Sequence, residues 1–73
     1  MKTLADLKPG QTGIIESISD LETASILMEL GCVPGEQVLL ENVAPLGDPI
    51  AIKVAGYKLS LRLREAKQVV LEN

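Results

Sequence analysis

Glycine and proline divide this chain into segments too short for a helical bundle. Pro9-Gly10 and Pro34-Gly35 are turn dipeptides, Gly47-Asp48-Pro49 is a third break, and Gly56 a fourth. Proline presets φ at the first central position of a turn, and glycine takes the positive φ of the second. Lys8-Pro9-Gly10-Gln11 is echoed by Val33-Pro34-Gly35-Glu36. The echo is too short for a structural repeat, and we read it as one turn used twice. Gly10, Gly31, Pro34, Gly35, Gly47 and Pro49 are therefore expected at turns, with the prolines stiffening the approaches to strands.

The segments between these breaks read mostly as strands. Thr12–Ile18 is rich in β-branched residues, Gln37–Val43 follows the second turn, and Pro49–Val54 places Ile50, Ile52 and Val54 on one face. Tyr57–Leu63 has the cleanest period of two, with Leu59, Leu61 and Leu63 alternating with Ser60, Arg62 and Arg64. Gln68–Leu71 makes a short last strand, with a tight helical turn over Leu63–Ala66 before it. Residues 20–30 break the pattern. Ser19 and Glu22 have capping-box spacing, good helix formers run to Leu30, and Gly31 stands where a helix-ending glycine belongs. Five short strands with one helix inserted after the first predict a mainly β fold, a small five-stranded barrel spanning residues 1–73 as a single domain. Closing the sheet would cover its edges, and the helix would lie over one end as a lid.

A domain of 73 residues needs a dense apolar core or a covalent staple. Cys32 is the only cysteine, so no disulfide forms within the chain, and the sequence contains no histidine. The core must be aliphatic, because 47% of residues are apolar and Tyr57 is the only aromatic. The same inventory argues against an enzyme. There is no imidazole base for Cys32 or for Ser17, Ser19, Ser25 or Ser60, and no phosphate-binding glycine-rich loop ending in Gly-Lys-Ser/Thr. The net charge of −3 argues against nucleic acid. A groove for proline-rich peptides is lined with aromatic rings, which Tyr57 alone cannot supply. No stretch approaches the ~20 apolar residues of a membrane helix. Met1–Asp6 lacks the long apolar run of a signal peptide, and with the free cysteine this sets the expectation of a cytoplasmic protein.

The remaining candidates are surfaces. Leu21, Ala24, Leu27, Met28 and Leu30 form an apolar stripe at helical spacing, and Ile26 widens it. Such a stripe is commonly core, yet its breadth leaves Leu21, Ala24, Ile26 and Met28 as a candidate docking face. Arg62 and Arg64 share the outer face of the fourth strand: either a solvated face or a pair that receives an acidic partner. Cys32 is the one candidate ligand for a transition metal such as iron or zinc, set against its reading as a small buried hydrophobe. A bound cofactor is not expected. Either the helix or a strand edge offers a route to a homo-oligomer.

Taken in order, Leu4-Ala5-Asp6-Leu7-Lys8-Pro9-Gly10, Leu30-Gly31-Cys32-Val33-Pro34-Gly35, Pro45-Leu46-Gly47-Asp48-Pro49 and Leu59-Ser60-Leu61-Arg62 resemble the FeoA family over nearly the whole chain. The resemblance implies an SH3-like barrel and a role in bacterial ferrous iron transport. The implied partner is FeoB, a membrane transporter with a cytosolic G-protein domain, whose assembly or GTPase-linked iron uptake an FeoA-like protein would tune. It adds the loop residues Leu46 and Asp48 to the candidate partner contacts. A similar barrel also forms the C-terminal domain of iron-dependent transcriptional repressors, where it assists metal sensing or dimer contacts. With no helix-turn-helix segment in the 73 residues, the transport role is the leading expectation. A direct iron carrier ranks below both, for want of a ligand cluster.

Overall fold

Two β-turns of the same kind start the first two strands. In the computed structural model, which describes residues 2–72, Gln11 N–H donates to the Lys8 carbonyl (2.9 Å) and Glu36 N–H to the Val33 carbonyl (3.1 Å). The glycine at the third position of each turn has positive φ, +91° at Gly10 and +93° at Gly35. Each turn then reaches across to the other strand. Gly10 N–H donates to the Leu40 carbonyl, and Leu40 N–H returns a bond to the Gln11 carbonyl. Gly35 N–H donates to the Ile15 carbonyl, and Ile15 N–H returns one to Glu36. The echo in the sequence is thus a reciprocal clamp on the two ends of the β1–β2 ladder.

The strands are β1 (Thr12–Ile18), β2 (Gln37–Val43), β3 (Ile50–Val54), β4 (Tyr57–Leu61) and β5 (Val69–Leu71). All neighbours are antiparallel, in the order β4-β3-β2-β1-β5. Helix α1 (Leu21–Glu29) follows β1, and α2 (Leu63–Ala66) carries the chain from one end of that order to the other. This is the expected mainly β, SH3-like arrangement with one inserted helix, but the sheet does not close as expected: β4 and β5 stand at opposite ends of the order and are not paired among the described residues. The boundaries shift slightly. Pro49 lies before β3, Gln68 before β5, and β4 stops at Leu61 rather than Leu63, while the expected helical turn over Leu63–Ala66 is α2. A 3₁₀ turn at Leu4–Asp6 was not expected; it buries Leu4 and is held by Thr3 N–H donating to the Asp6 carboxylate.

The core is aliphatic, as the composition requires. Ile15, Leu27, Cys32, Val38, Leu40, Ile52, Val54 and Val69 are all essentially inaccessible, and no polar or charged residue is buried among those described. Each fully buried leucine or isoleucine contributes about 2 kcal/mol by leaving water. The period-two reading of β3 holds: Ile50, Ile52 and Val54 face inward and Lys53 outward. No helix in the described residues is long and apolar enough to cross a membrane.

The start of α1 departs from the sequence reading. Ser19 and Glu22 do not form the capping box. Ser19 instead donates its N–H and its hydroxyl to the Gln68 carbonyl, and its Oγ lies 2.6 Å from Gln68 Oε1, pinning the end of β1 to the approach to β5. Asp20 is the cap, accepting from Thr23 N–H (2.9 Å) and Thr23 Oγ1 (2.7 Å). The helix ends on Leu30 and on Gly31, whose φ is +101°.

Two measurements check this architecture. Gly10→Ala and Gly35→Ala, where an added methyl meets nothing within 4 Å, should each lower stability by about 1 kcal/mol through the unfavourable φ alone. Gly31→Ala should cost more, because its methyl would also lie 3.3 Å from Ala55 Cβ. Urea unfolding midpoints would rank the three. The second concerns acid. The Thr23 hydroxyl, and then the Thr23 N–H, hold the Asp20 carboxyl below its ordinary 3.8. Its contribution is therefore present above that value and lost as pH falls through the lowered one. Asp20→Asn keeps the cap in neutral form, so its stability relative to the parent should rise as pH drops below 3.8.

Candidate functional site

The exposed large apolar residues lie on α1 and just after it, at the tip of the 44–49 loop and at the start of β4. Of the helix stripe only Leu27 is fully buried, while Ala24 is half-buried. Leu21 is 89% exposed, Ile26 55%, and Met28 and Leu30 44% each. The stripe is thus mainly surface, because a nine-residue helix at the rim of a small sheet touches it along one line. Two grooves flank the helix. The first lies between α1 and α2 and is lined by Asp20, Glu22, Thr23, Ile26, Arg64, Glu65 and Gln68. The second, of about 380 Å³, lies between the end of α1 and β4 and is lined by Met28, Glu29, Leu30, Gly31, Tyr57 and Leu59. Tyr57 and Leu30, exposed on this second groove, were not among the expected contact residues. One ring cannot line an aromatic groove, so Tyr57 has no role on sequence grounds, and only the fold brings it beside Met28.

Arg62 and Arg64 do not project from successive positions of a strand. Arg62 precedes α2 and Arg64 lies within it, because Leu63 N–H is taken by Asp48 Oδ1 (2.9 Å) and Arg62 N–H by Glu65 Oε1 (2.8 Å). They nevertheless come together with Asp48 around one depression. Neither guanidinium has a carboxylate within 4.0 Å among the described residues, where the one ion pair is Lys58 to Glu41. Asp48 therefore ties the 44–49 loop to α2, while the two cations stay free for solvent or a partner.

That loop is ordered from within. Ala44 N–H donates to the Pro49 carbonyl (3.0 Å) and Gly47 N–H to the Ala44 carbonyl (2.7 Å); Gly47 has positive φ and the Asp48–Pro49 peptide is cis. Leu46 stands at its tip, 96% exposed. The candidate contacts thus divide into Leu21, Ala24 and Ile26 on α1, Met28 on the second groove, and Leu46, Asp48, Arg62 and Arg64 around the loop and α2.

Cys32 sits in the core, 1% exposed, and burial pushes its thiol up from the usual range. No group of three His, Cys, Asp or Glu side chains converges to hold a metal among the described residues. The donor set does not fit zinc, which in structural sites takes four nitrogen or thiolate ligands. What the surface offers instead is apolar contact area edged by free charge, which suits docking.

The FeoA domain family model matches residues 2–73. Among solved structures, FeoA from Chlorobium tepidum is 32% identical with a TM-score of 0.91, the match covering 97% of this chain and 69% of that one. Iron(II) transport protein A from Clostridium thermocellum is 38% identical at 0.90, covering 97% and 44%. FeoA from Stenotrophomonas maltophilia, solved with zinc and described as a prokaryotic SH3 domain protein, is 35% identical at 0.87, covering 99% and 91%. A manganese-dependent transcriptional repressor shares the fold at 16% identity and a TM-score of 0.87 over 35% of its length. A search of the curated proteins finds no match. The family model spans nearly every residue, and two solved FeoA proteins and an iron(II) transport protein A agree with it in sequence and shape, so the chain belongs to the FeoA family.

Proposed function

We propose that this chain is a non-catalytic, cytoplasmic accessory of ferrous iron transport that binds an FeoB-type membrane transporter and tunes its assembly or its GTPase-linked iron uptake. One observation carries the reading: six large apolar side chains, Leu21, Ile26, Met28, Leu30, Leu46 and Tyr57, stand exposed on a domain with no buried polar side chain among the described residues. A reaction centre gathers polar groups in a sheltered cleft, whereas a docking module needs accessible apolar area. Family membership supports ferrous iron transport as the setting. The Stenotrophomonas relative, a suggested ferrous iron transport activating factor, supports an auxiliary role within it. The repressor reading draws only on proteins of low identity, so it rests on shared shape.

The test is binding of the purified domain to the full-length cognate transporter in detergent, with and without guanine nucleotide. Saturable one-to-one binding is expected, with an affinity that changes with the nucleotide. No binding at about tens of micromolar, a level that even weak specific interfaces reach, would overturn the reading. Arg62→Ser with Arg64→Ser should weaken binding about three- to tenfold and flatten its salt dependence, since rim charges act on encounter more than on the bound state. Unchanged affinity at low salt would exclude these two residues.

A further inference from the structure

The sheet ends in two strands, and only one of them is covered. Along β5, Thr3 bridges Val70 and Leu71 N–H donates to the Lys2 carbonyl (2.9 Å), so the leading segment closes that side. No described strand pairs with the outer side of β4. The two-residue hairpin at Ala55-Gly56 fixes which backbone groups are left over. Val54 and Tyr57 close the turn, so Tyr57, Leu59 and Leu61 face β3, while the N–H and C=O of Lys58 and Ser60 point away from it. The open edge ends at Arg62, whose N–H goes to Glu65 Oε1 and whose carbonyl accepts from Glu65 and Ala66.

Each side of this edge has its own chemistry. On the inner side Tyr57 and Leu59 border the groove completed by Met28, Leu30 and Gly31, with Glu29 the one charged residue in its lining. On the outer side Lys58 lies opposite Lys53, and Arg62, one residue past the strand with its backbone still extended, follows the same alternation. Glu41, 4.0 Å from Lys58 Nζ, is the one carboxylate paired there among the described residues. We infer that the open edge of β4 is a strand-addition site for an extended partner segment in which apolar and acidic residues alternate. Its apolar residues enter the Met28–Tyr57 groove, its carboxylates meet Lys53, Lys58 and Arg62, and its backbone pairs with Lys58 and Ser60. The inference rests on the reading of the chain as a partner-binding module and names the chemistry of one contact. A second copy of the chain is the poorer occupant. Pairing β4 with itself would bring two sets of the same cations onto one face, and like charges on neighbouring strands repel.

The test needs no transporter and uses the full chain. An acetylated, amidated pentapeptide alternating valine and glutamate is titrated into the ¹⁵N-labelled protein, with a valine–lysine pentapeptide as control. Saturable shifts confined to residues 28–31 and 57–62 are expected, with exchange of the Lys58 and Ser60 amides slowed by about tenfold or more. The lysine peptide should produce neither. Lys58→Glu should weaken the glutamate peptide and admit the lysine one. Ser60→Pro, which removes an outward N–H at an edge position, should abolish the protection; if that variant does not fold, Lys58→Glu decides. Equal binding of both peptides, shifts elsewhere, no binding at about millimolar peptide, or pairing of two protein copies through β4 would each overturn the inference. Transporter binding that persists while the peptide fails would sink this contact and leave the accessory reading standing.

Discussion

A glycine N–H donated across the β1–β2 ladder, once from each end, organises the rest of this domain. The turn before β1 holds Leu40 of β2, and the turn before β2 holds Ile15 of β1. Both held residues are core residues at 1% exposure. The clamp therefore fixes the register of the central pair and the inward direction of its side chains together. A one-residue slip would break the glycine bonds and turn Ile15 and Leu40 toward water. Everything else attaches to this pair, with β3 and β4 on the β2 side and β5 with its leading segment on the β1 side.

Without aromatic bulk or a covalent staple, the domain leaves no buried polar side chain stranded among the described residues. The short helical pieces meet their backbone needs with nearby carboxylates, Asp6 for Thr3, Asp20 for Thr23 and Glu65 for Arg62, and the Gln11 side chain serves Lys8 in the same way. These acceptors lie at the surface, so the core keeps only aliphatic groups and one thiol. The acidic balance of the chain is in part the cost of starting helices this short: with Asp48, which takes Leu63 N–H, four carboxylates of the described residues are occupied as backbone acceptors.

The strands and the inserted helix could be read from the sequence because their signals are local. Period two placed Ile50, Ile52 and Val54 inward, and Pro-Gly located both clamp turns. The errors came where a distant residue decided the outcome. Ser19 and Asp20 are adjacent and both can cap a helix, but Gln68, 49 residues away, engages Ser19 and leaves Asp20 to the helix. β4 stops at Leu61 rather than Leu63, because Asp48, 15 residues earlier, takes Leu63 N–H and helps set the start of α2, the helical turn that the local sequence already marks. The candidate contact residues were legible as residue types, though not as a grouping. Nothing in the sequence sets Arg62 and Arg64 beside Asp48, or Tyr57 beside Met28; those neighbours follow from the ladder.

The path of the chain between the two clamped strands separates shape from recognition. It leaves β1 at Ser19, fastened to Gln68, and returns through the turn held by Ile15, so both ends of the helical excursion are anchored to the barrel. Within it Leu27 and Cys32 alone are fully buried. Leu21, Glu22, Ser25, Ile26 and Glu29 all face solvent. Those five positions can drift in sequence while the barrel beneath them stays constant, so a lineage can re-address this domain to a diverging partner without having to refold it.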